Sequence, residues 1–176
     1  MSERYYSTIH PSPLGHLTLV SDGEALVGLW LPGQKYFGGT APGAWVQTEE
    51  LPVFLAAKAW LDAYFAGERP EISQLNLSPA GSPFRQMVWA MLREIPYGKT
   101  TAYGEIAQKV AVRLAKPSMS AQAVGGAVGH NPISLIIPCH RVVGAGGHLT
   151  GYAGGLDKKI WLLRHEGVPV SGDGLG

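Results

Sequence analysis

The chain has 176 residues, of which 45% are hydrophobic and 15% charged, enough for one good core or two small ones. No stretch approaches the roughly 18 consecutive apolar residues of a membrane span, and the first residues, MSERYYSTIH, lack the apolar core of a signal peptide. One cysteine excludes an internal disulfide framework and indicates a reducing compartment, so we expect a cytoplasmic protein.

The net charge of +1 is unevenly distributed along the chain. Residues 1–80 carry four Lys or Arg against eight Asp or Glu, whereas residues 81–176 carry ten against five. If the protein binds a polyanion, we expect the second half to contact it. Ordinary surface charge that happens to fall unevenly is an equally good explanation at this point.

The first half of the sequence predicts strands followed by a helix. Segments 4–9, 17–20 and 26–31 have strand-like composition, and Asp22-Gly23 supplies a hairpin turn between the last two. After a loop rich in Gly and Pro, Thr48 or Glu49 is expected to begin a helix that has Pro52 near its start and ends at Gly67. The predicted structure is a small antiparallel sheet packed by one helix.

The second half of the sequence predicts a helical domain, which follows a linker at residues 69–82. Ser82 is expected to cap a helix with Pro83 at its first position, and Thr100 or Thr101 to cap a second. A third helix is predicted at about 120–129. Two such helices in succession, the second short and rich in small residues, suggest a helix-turn-helix.

The third predicted helix has two adjacent interior glycines, Gly125 and Gly126. Each costs about 1 kcal/mol relative to alanine in a helix interior. Close approach of another backbone would explain such a bare surface. The approaching backbone can belong to the protein itself or to a nucleic acid, and the sequence leaves both open.

Cys139 is the chemically most notable residue, because it lies between an apolar run, expected to be a strand, and two basic residues, His140 and Arg141. The thiolate is the reactive form of cysteine, and neighbouring His or Arg lowers the thiol pKa. A lone buried cysteine is usually inert packing. Glu166 is a candidate to orient His140, although sequence spacing cannot establish that the two meet.

Three segments of the sequence, in the same order along the chain, resemble those of a known protein family: PFRQMVWAMLREIPYGKTTAYGEIA, AVGGAVGHNPISLIIPCHRVVG and LTGYAGGLDKKIWLLRHEG. From Ser82 to Gly167 the chain resembles the O6-alkylguanine-DNA alkyltransferase family, the methylated-DNA–protein-cysteine methyltransferases. The resemblance implies an α/β fold with a small N-terminal ribonuclease H-like domain and a C-terminal winged helix-turn-helix-like domain. The implied division is residues 1–80 with the linker, residues 81–168, and a tail of residues 169–176.

The resemblance also implies roles for five catalytic residues. Cys139 matches the alkyl acceptor, His140 the group that takes the thiol proton through a water, and Glu166 the carboxylate that orients it. Asn131 matches the residue that braces the turn before the active-site segment. Tyr103 matches the tyrosine that crowds the flipped nucleotide's phosphate and donates to the guanine.

The implied substrate-binding residues include one departure from the family. The Val142 carbonyl would accept from the guanine amino group, and Tyr152 and Ala153 would line the pocket. Gln122 stands where the family usually has an arginine that enters the base stack, and the loop at 110–119 is longer than expected. The substrate-binding set is completed by Arg141 and Lys159.

By resemblance, the function would be stoichiometric, irreversible transfer of the alkyl group from O6-alkylguanine, and from O4-alkylthymine, in double-stranded DNA to Cys139. The protein would act as a monomer without a cofactor or metal, since the cysteines that hold zinc in some relatives are missing. Three alternatives stay open. These are an alkylated-DNA sensor, which would lack the reactive cysteine, a cysteine hydrolase that turns over, and a winged-helix regulator that binds one DNA sequence.

Overall fold

The computed structural model describes residues 4–171 and 174–175. The chain forms two compact units: residues up to Ala80 together with Pro132–Ile136, and Gly81–Asn131 together with the rest of the chain from Ile137. The predicted division into 1–80, 81–168 and a tail 169–176 stays a prediction. Its residues 1–3, 172, 173 and 176 lie outside the described residues.

The first unit contains a four-stranded sheet with the order β3-β2-β1-β4. Strands β1 (Tyr5–Ser12), β2 (Gly15–Ser21) and β3 (Leu26–Trp30) are antiparallel neighbours, as predicted, while β4 (Trp45–Gln47) runs parallel to β1. The sequence did not predict β4, because it lies in a segment whose Gly and Pro content suggests only loop. Its pairing with β1 is a non-local interaction.

Helix α1 (Pro52–Phe65) packs against the sheet of the first unit. The predicted start at Thr48 or Glu49 is wrong, because the residue that caps the helix is Leu51. The backbone N–H of Thr48 donates to the Ser7 carbonyl, 3.0 Å away, and so continues the strand pairing instead. Pro52 suits the first helical position because it has no N–H to leave unpaired.

The second unit is mainly helical. It contains α2 (Pro83–Leu92), β5 (Thr101–Ala102), α3 (Tyr103–Arg113), α4 (Ala121–Gly129), β6 (Val142–Val143), α5 (Leu156–His165), β7 (Val170–Ser171) and β8 (Gly174–Leu175). Short 3-10 helices lie at Cys139–Arg141 and Ala145–Gly147. Helices α2, α3 and α4 pack on one another, and β5 pairs in parallel with β6. The mixed α/β class predicted from the sequence is confirmed.

Two of the three predicted helix starts in this unit are confirmed. The Ser82 hydroxyl accepts from the Arg85 N–H at 3.2 Å, and the Ser120 hydroxyl accepts from two N–H groups in the first turn of α4. The predicted start of α3 at Thr100 or Thr101 is wrong. Thr101 pairs with Val142 in the β5–β6 ladder, and Ala102 is the capping residue, without a side-chain hydrogen bond.

The apolar run before Cys139 is not a strand, so this expectation from the sequence is wrong. Successive tight turns occupy it, with the Ile136 N–H donating to the Ser134 carbonyl and the Cys139 N–H to the Ile137 carbonyl, each at 2.8 Å. Leu135 has a φ of 70°, which is uncommon for a residue with a side chain. Cys139 therefore begins a 3-10 turn rather than ending a strand.

Within residues 4–171 and 174–175, no helix has the length and apolar composition that crossing a membrane requires.

Candidate active site

Cys139 is the first residue of a 3-10 turn in the second unit, and only 5% of its surface is exposed. Burial raises the pKa of its thiol, because a charged thiolate is poorly solvated there. Hydrogen bonds from Asn131 and Tyr152 and the charge of Lys159 act in the opposite direction. The resting group is a protonated thiol whose surroundings are arranged to support the thiolate once a base removes the proton.

His140, the next residue, is fully buried and offers a base. Its Nε2 lies 2.6 Å from Oε2 of Glu166. Because an ionised carboxylate can only accept, the proton of the neutral imidazole belongs on Nε2. Nδ1 then has a free lone pair, and no hydrogen-bond partner for it occurs among the described residues. Burial lowers the pKa of His140, and this outweighs the opposing effect of Glu166.

Glu166, at the C-terminal cap of α5, is buried and accepts hydrogen bonds from three directions. Oε1 accepts from the Gly98 N–H at 3.0 Å and from Arg141 Nε at 2.8 Å, while Oε2 accepts from His140 and from Arg141 Nη2 at 3.2 Å. Burial alone would raise the pKa of Glu166. The hydrogen bonds and charges of His140 and Arg141 outweigh it, and the pKa lies far below its ordinary value.

The Arg141 guanidinium is held by groups of the protein. Besides its two contacts with Glu166, its Nη1 donates to the Ile95 carbonyl at 2.7 Å, and the cation lies 5.7 Å from the centre of the Tyr97 ring. The side chain is almost completely buried. The substrate contact expected of Arg141 stays a prediction, whereas the structure shows four contacts of its guanidinium with three residues of the protein.

Lys159, in α5, is completely buried. Its Nζ lies 5.9 Å from the centre of the Tyr103 ring, and no hydrogen-bond partner for this atom occurs in the part of the chain that the structure describes. Burial lowers the pKa of Lys159 to about 8, and the Cys139 thiolate opposes this fall. The charge of the Lys159 ammonium group would therefore be compensated by the Cys139 thiolate, once that thiolate has formed.

Tyr103 is the first residue of α3 and is half-buried. Burial raises the pKa of its hydroxyl, a hydrogen bond with Thr150 opposes this, and the Cys139 thiolate raises it further. The ring also lines a cavity of about 810 Å³. The hydroxyl therefore keeps its proton at neutral pH beside an open cavity, as a proton donor must.

Glycines and small residues form most of the walls of this cavity, which also includes Gln122 of α4. A Cβ added at Gly126 would meet no atom within 4 Å, and one at Gly125 would meet only the Tyr103 ring, at 3.9 Å. Close packing against the described protein therefore does not explain these two glycines. The remaining explanation from the sequence, close approach of another molecule, is favoured.

Two other predicted residues, Asn131 and Tyr152, lie beside the thiol. Asn131 is buried, and its Nδ2 donates to the Ile137 carbonyl at 2.8 Å, which fixes the turn leading to Cys139. Tyr152 contacts the thiol, as noted, and Ala153 follows it, half-buried. Val142 is completely buried in β6.

Sequence reasoning missed three groups of the site, namely the Gly98 N–H, the Ile95 carbonyl and the Thr150 side chain. Of these three, only Gly98 could have been noticed in the sequence, because it ends a Pro-Tyr-Gly turn. Its φ is 77°, and an added Cβ would lie 3.1 Å from the Glu166 carbonyl oxygen. As for metals, no group of three or more His, Cys, Asp or Glu that could hold an ion occurs among residues 4–171 and 174–175.

Comparison with protein families gives two matches that together cover most of the chain. Residues 4–79 match the model of the 6-O-methylguanine DNA methyltransferase, ribonuclease-like domain, and residues 83–168 match that of the 6-O-methylguanine DNA methyltransferase, DNA binding domain. The predicted fold, a ribonuclease-like α/β domain followed by a DNA-binding domain, is thereby confirmed.

Individual proteins agree with these matches. The chain is 44% identical to a methylated-DNA–protein-cysteine methyltransferase of Haemophilus influenzae, over 96% of this chain and 89% of that protein. It is 45% identical to a Methanosarcina acetivorans protein of the same name, over 92% and 98%. A crystal structure of Mycobacterium tuberculosis OGT in complex with DNA superposes with a TM-score of 0.77 at 43% identity, covering 93% of this chain and 92% of that one.

The position of Lys159 leads to a prediction about the thiol. Replacing Lys159 with Met removes a cation that lowers the pKa of Cys139, so at pH values below about 8, where Lys159 carries its charge, the thiolate fraction of Cys139 should fall several-fold. The rate at which a small electrophile alkylates Cys139, titrated with pH against Cys139→Ser as a blank, measures this fraction.

The matched control for this titration is Lys158→Met, on the same helix, whose Nζ lies 3.8 Å from an Asp157 oxygen. The control should titrate like the unmodified protein. The effect of Lys159→Met should shrink as the pH rises above about 8, where Lys159 itself loses its proton. Identical titrations of the Lys159→Met and Lys158→Met proteins would show that Lys159 does not support the thiolate.

Proposed function

Given that this chain belongs to the 6-O-methylguanine DNA methyltransferase family, whose reaction is DNA repair by alkyl transfer, we propose that Cys139 is its alkyl acceptor. The substrate is double-stranded DNA carrying O6-alkylguanine or O4-alkylthymine, and each molecule reacts once. The observation that carries this proposal is the thiol of Cys139, buried beside a neutral base, a buried cation and a tyrosine donor.

The proposed reaction begins with removal of the thiol proton. His140 accepts it at Nδ1, through a water, while Glu166 holds the proton on Nε2 and favours the imidazolium that forms. Asn131, Tyr152 and Lys159 stabilise the resulting thiolate. Each of these groups is already in position before substrate arrives, so little reorganisation is needed when charge develops.

The thiolate sulfur then attacks the alkyl carbon, a carbon–sulfur bond forms, and the bond from that carbon to O6 breaks. The electron pair goes to the guanine, and the Tyr103 hydroxyl donates to the base as its charge develops. In the net reaction a proton replaces the alkyl group on the guanine, and a thioether replaces the thiol. A thioether does not hydrolyse at neutral pH, which explains a single turnover.

Access to a base in duplex DNA requires that the nucleotide leave the stack, at a cost of a few kcal/mol. The cavity lined by Tyr103, Gln122, Gly125 and Gly126 has the bare backbone that a close approach of DNA needs. The excess of Lys and Arg in residues 81–176 would attract the phosphates. Gln122, exposed in the first turn of α4, is proposed to occupy the gap that the flipped base leaves.

The alternatives make different predictions. A damage sensor would not require the buried base, cation and tyrosine that surround Cys139. A cysteine hydrolase would release product repeatedly. A sequence-specific regulator would show no alkyl transfer. All proposed catalytic groups belong to one chain, so we propose a monomer as the acting form. A thiol that must stay reduced fits a cytoplasmic location.

The first prediction of the proposed function concerns stoichiometry. One equivalent of duplex DNA with a single O6-methylguanine should add one methyl group to Cys139, as measured by intact-protein mass and peptide mapping. Cys139→Ser should abolish transfer and keep DNA binding, because the change removes only the nucleophile. Undamaged duplex is the control. A methyl group on another residue, or more repaired base than protein, would refute the mechanism.

A second prediction separates stability from DNA binding. Gly126→Ala should raise the free energy of unfolding by about 0.5–1 kcal/mol, because alanine favours a helix interior and, among the described residues, the new methyl meets no atom within 4 Å beyond the backbone of its own helix. The same methyl narrows the cavity, so affinity for duplex DNA should fall several-fold in a salt-matched titration.

Gly129→Ala is the control for this pair of measurements. A Cβ there also meets nothing within 4 Å, and the cavity lining described above does not include it. Its DNA affinity should be unchanged. Equal affinities for the Gly126→Ala and Gly129→Ala proteins would mean that α4 does not approach DNA closely at Gly126.

A third prediction concerns Gln122. A neutral side chain offers hydrogen bonds worth on the order of 1 kcal/mol each to the partner of the flipped base. Gln122→Ala should therefore slow repair of a lesion in duplex DNA more than it slows the reaction with free O6-benzylguanine, which needs no extrusion. Equal slowing of both substrates would assign Gln122 to the pocket or the fold instead.

A further inference from the structure

Arg141 and Glu166 form a buried ion pair directly behind His140. The guanidinium donates to both carboxylate oxygens, at 2.8 Å to Oε1 and 3.2 Å to Oε2, and Oε2 also contacts His140 Nε2 at 2.6 Å. Both charged side chains are nearly or fully buried. The carboxylate is therefore shared between a permanent cation and an imidazole that can gain or lose a proton.

A buried carboxylate needs a compensating positive charge. While the Arg141 guanidinium compensates the charge of the Glu166 carboxylate, His140 can remain a neutral imidazole. Without Arg141, the cheapest way to neutralise Glu166 would be for His140 to take up a proton, and Nδ1 would then carry a hydrogen and could not accept one. The fourth donor, the Gly98 N–H, is a dipole without net charge and cannot replace the cation.

Building on the proposed function, we propose that Arg141 is a positioning residue that holds His140 neutral, so that Nδ1 stays free to accept the Cys139 proton at neutral pH. Its charge acts on His140 both by neutralising Glu166 and directly, and it needs no contact with the substrate. It therefore sets the lower pH limit of alkyl transfer.

The charged and titratable groups around His140 are consistent with this assignment. Glu166 raises the pKa of His140, whereas burial, Arg141 and Lys159 lower it. Lys159 acts in the same direction as Arg141, but it faces Cys139 and makes no ion pair with Glu166 in the described part of the chain. Arg141 is also anchored apart from Glu166, by the Ile95 carbonyl and the Tyr97 ring.

The test is the pH dependence of the single-turnover rate with free O6-benzylguanine, which needs no DNA. In Arg141→Met the acid limb of the pH profile should move to higher pH by about one unit, so that the rate at a pH on this limb falls about tenfold and recovers as the pH is raised. Arg141→Lys keeps the charge, and its acid limb should stay close to that of the unmodified protein.

A merely structural role for Arg141 would lower the rate equally at every pH, and that result would overturn the proposal. So would an acid limb that moves as far in Arg141→Lys as in Arg141→Met. If the unmodified protein transfers no alkyl group at all, the proposed function fails, which is a distinguishable result.

A second comparison covers the case in which Arg141→Met does not fold because it leaves a lone buried carboxylate. The double variant Glu166→Gln/Arg141→Met has no such charge and is compared with Glu166→Gln alone. Only the charge of Arg141 distinguishes these two proteins electrostatically, so the acid limb of the double variant should lie at higher pH. Coincident limbs would overturn the proposal.

Discussion

The constraint on which the site depends is that the Glu166 carboxylate is buried and ionised, which requires several donors in fixed positions. They come from separate parts of the second unit: Gly98 from the turn after α2, and His140 and Arg141 from the 3-10 turn. Glu166 itself caps the C-terminus of α5. Satisfying this one group therefore holds two turns and a helix end together, and it fixes one nitrogen of His140 while the other has no hydrogen-bond partner among the residues that the structure describes.

The sequence predicted correctly those features that depend only on neighbouring residues. Ser82 and Ser120 cap the helices that the sequence predicted, because a cap depends only on the following turn. The starts of α1 and α3 were misplaced because Thr48 and Thr101 pair with distant strands, and no local signal reports such pairing. The apolar run before Cys139 has strand-like composition, but tight turns occupy it.

The same distinction applies to the site. Cys139 and His140 could be identified from their adjacent motif, whereas Glu166 was only a candidate partner of His140, because it lies 26 positions away and spacing cannot show that the two meet. The Ile95 carbonyl could not have been found, since any residue supplies one. The glycines of α4 were recognised as unusual from the sequence, but only the empty space above Gly126 distinguishes an exposed groove from close protein packing.

The central claim is that His140 is a neutral base whose proton lies on Nε2, and nitrogen-15 NMR of the histidine side chains tests it most directly. Spectra of the free protein through the neutral pH range, with His140→Gln to assign the signal, report the protonation of each ring nitrogen. We predict a protonated Nε2 and an unprotonated Nδ1 throughout that range. An imidazolium at neutral pH, or a neutral ring with its proton on Nδ1, would contradict it.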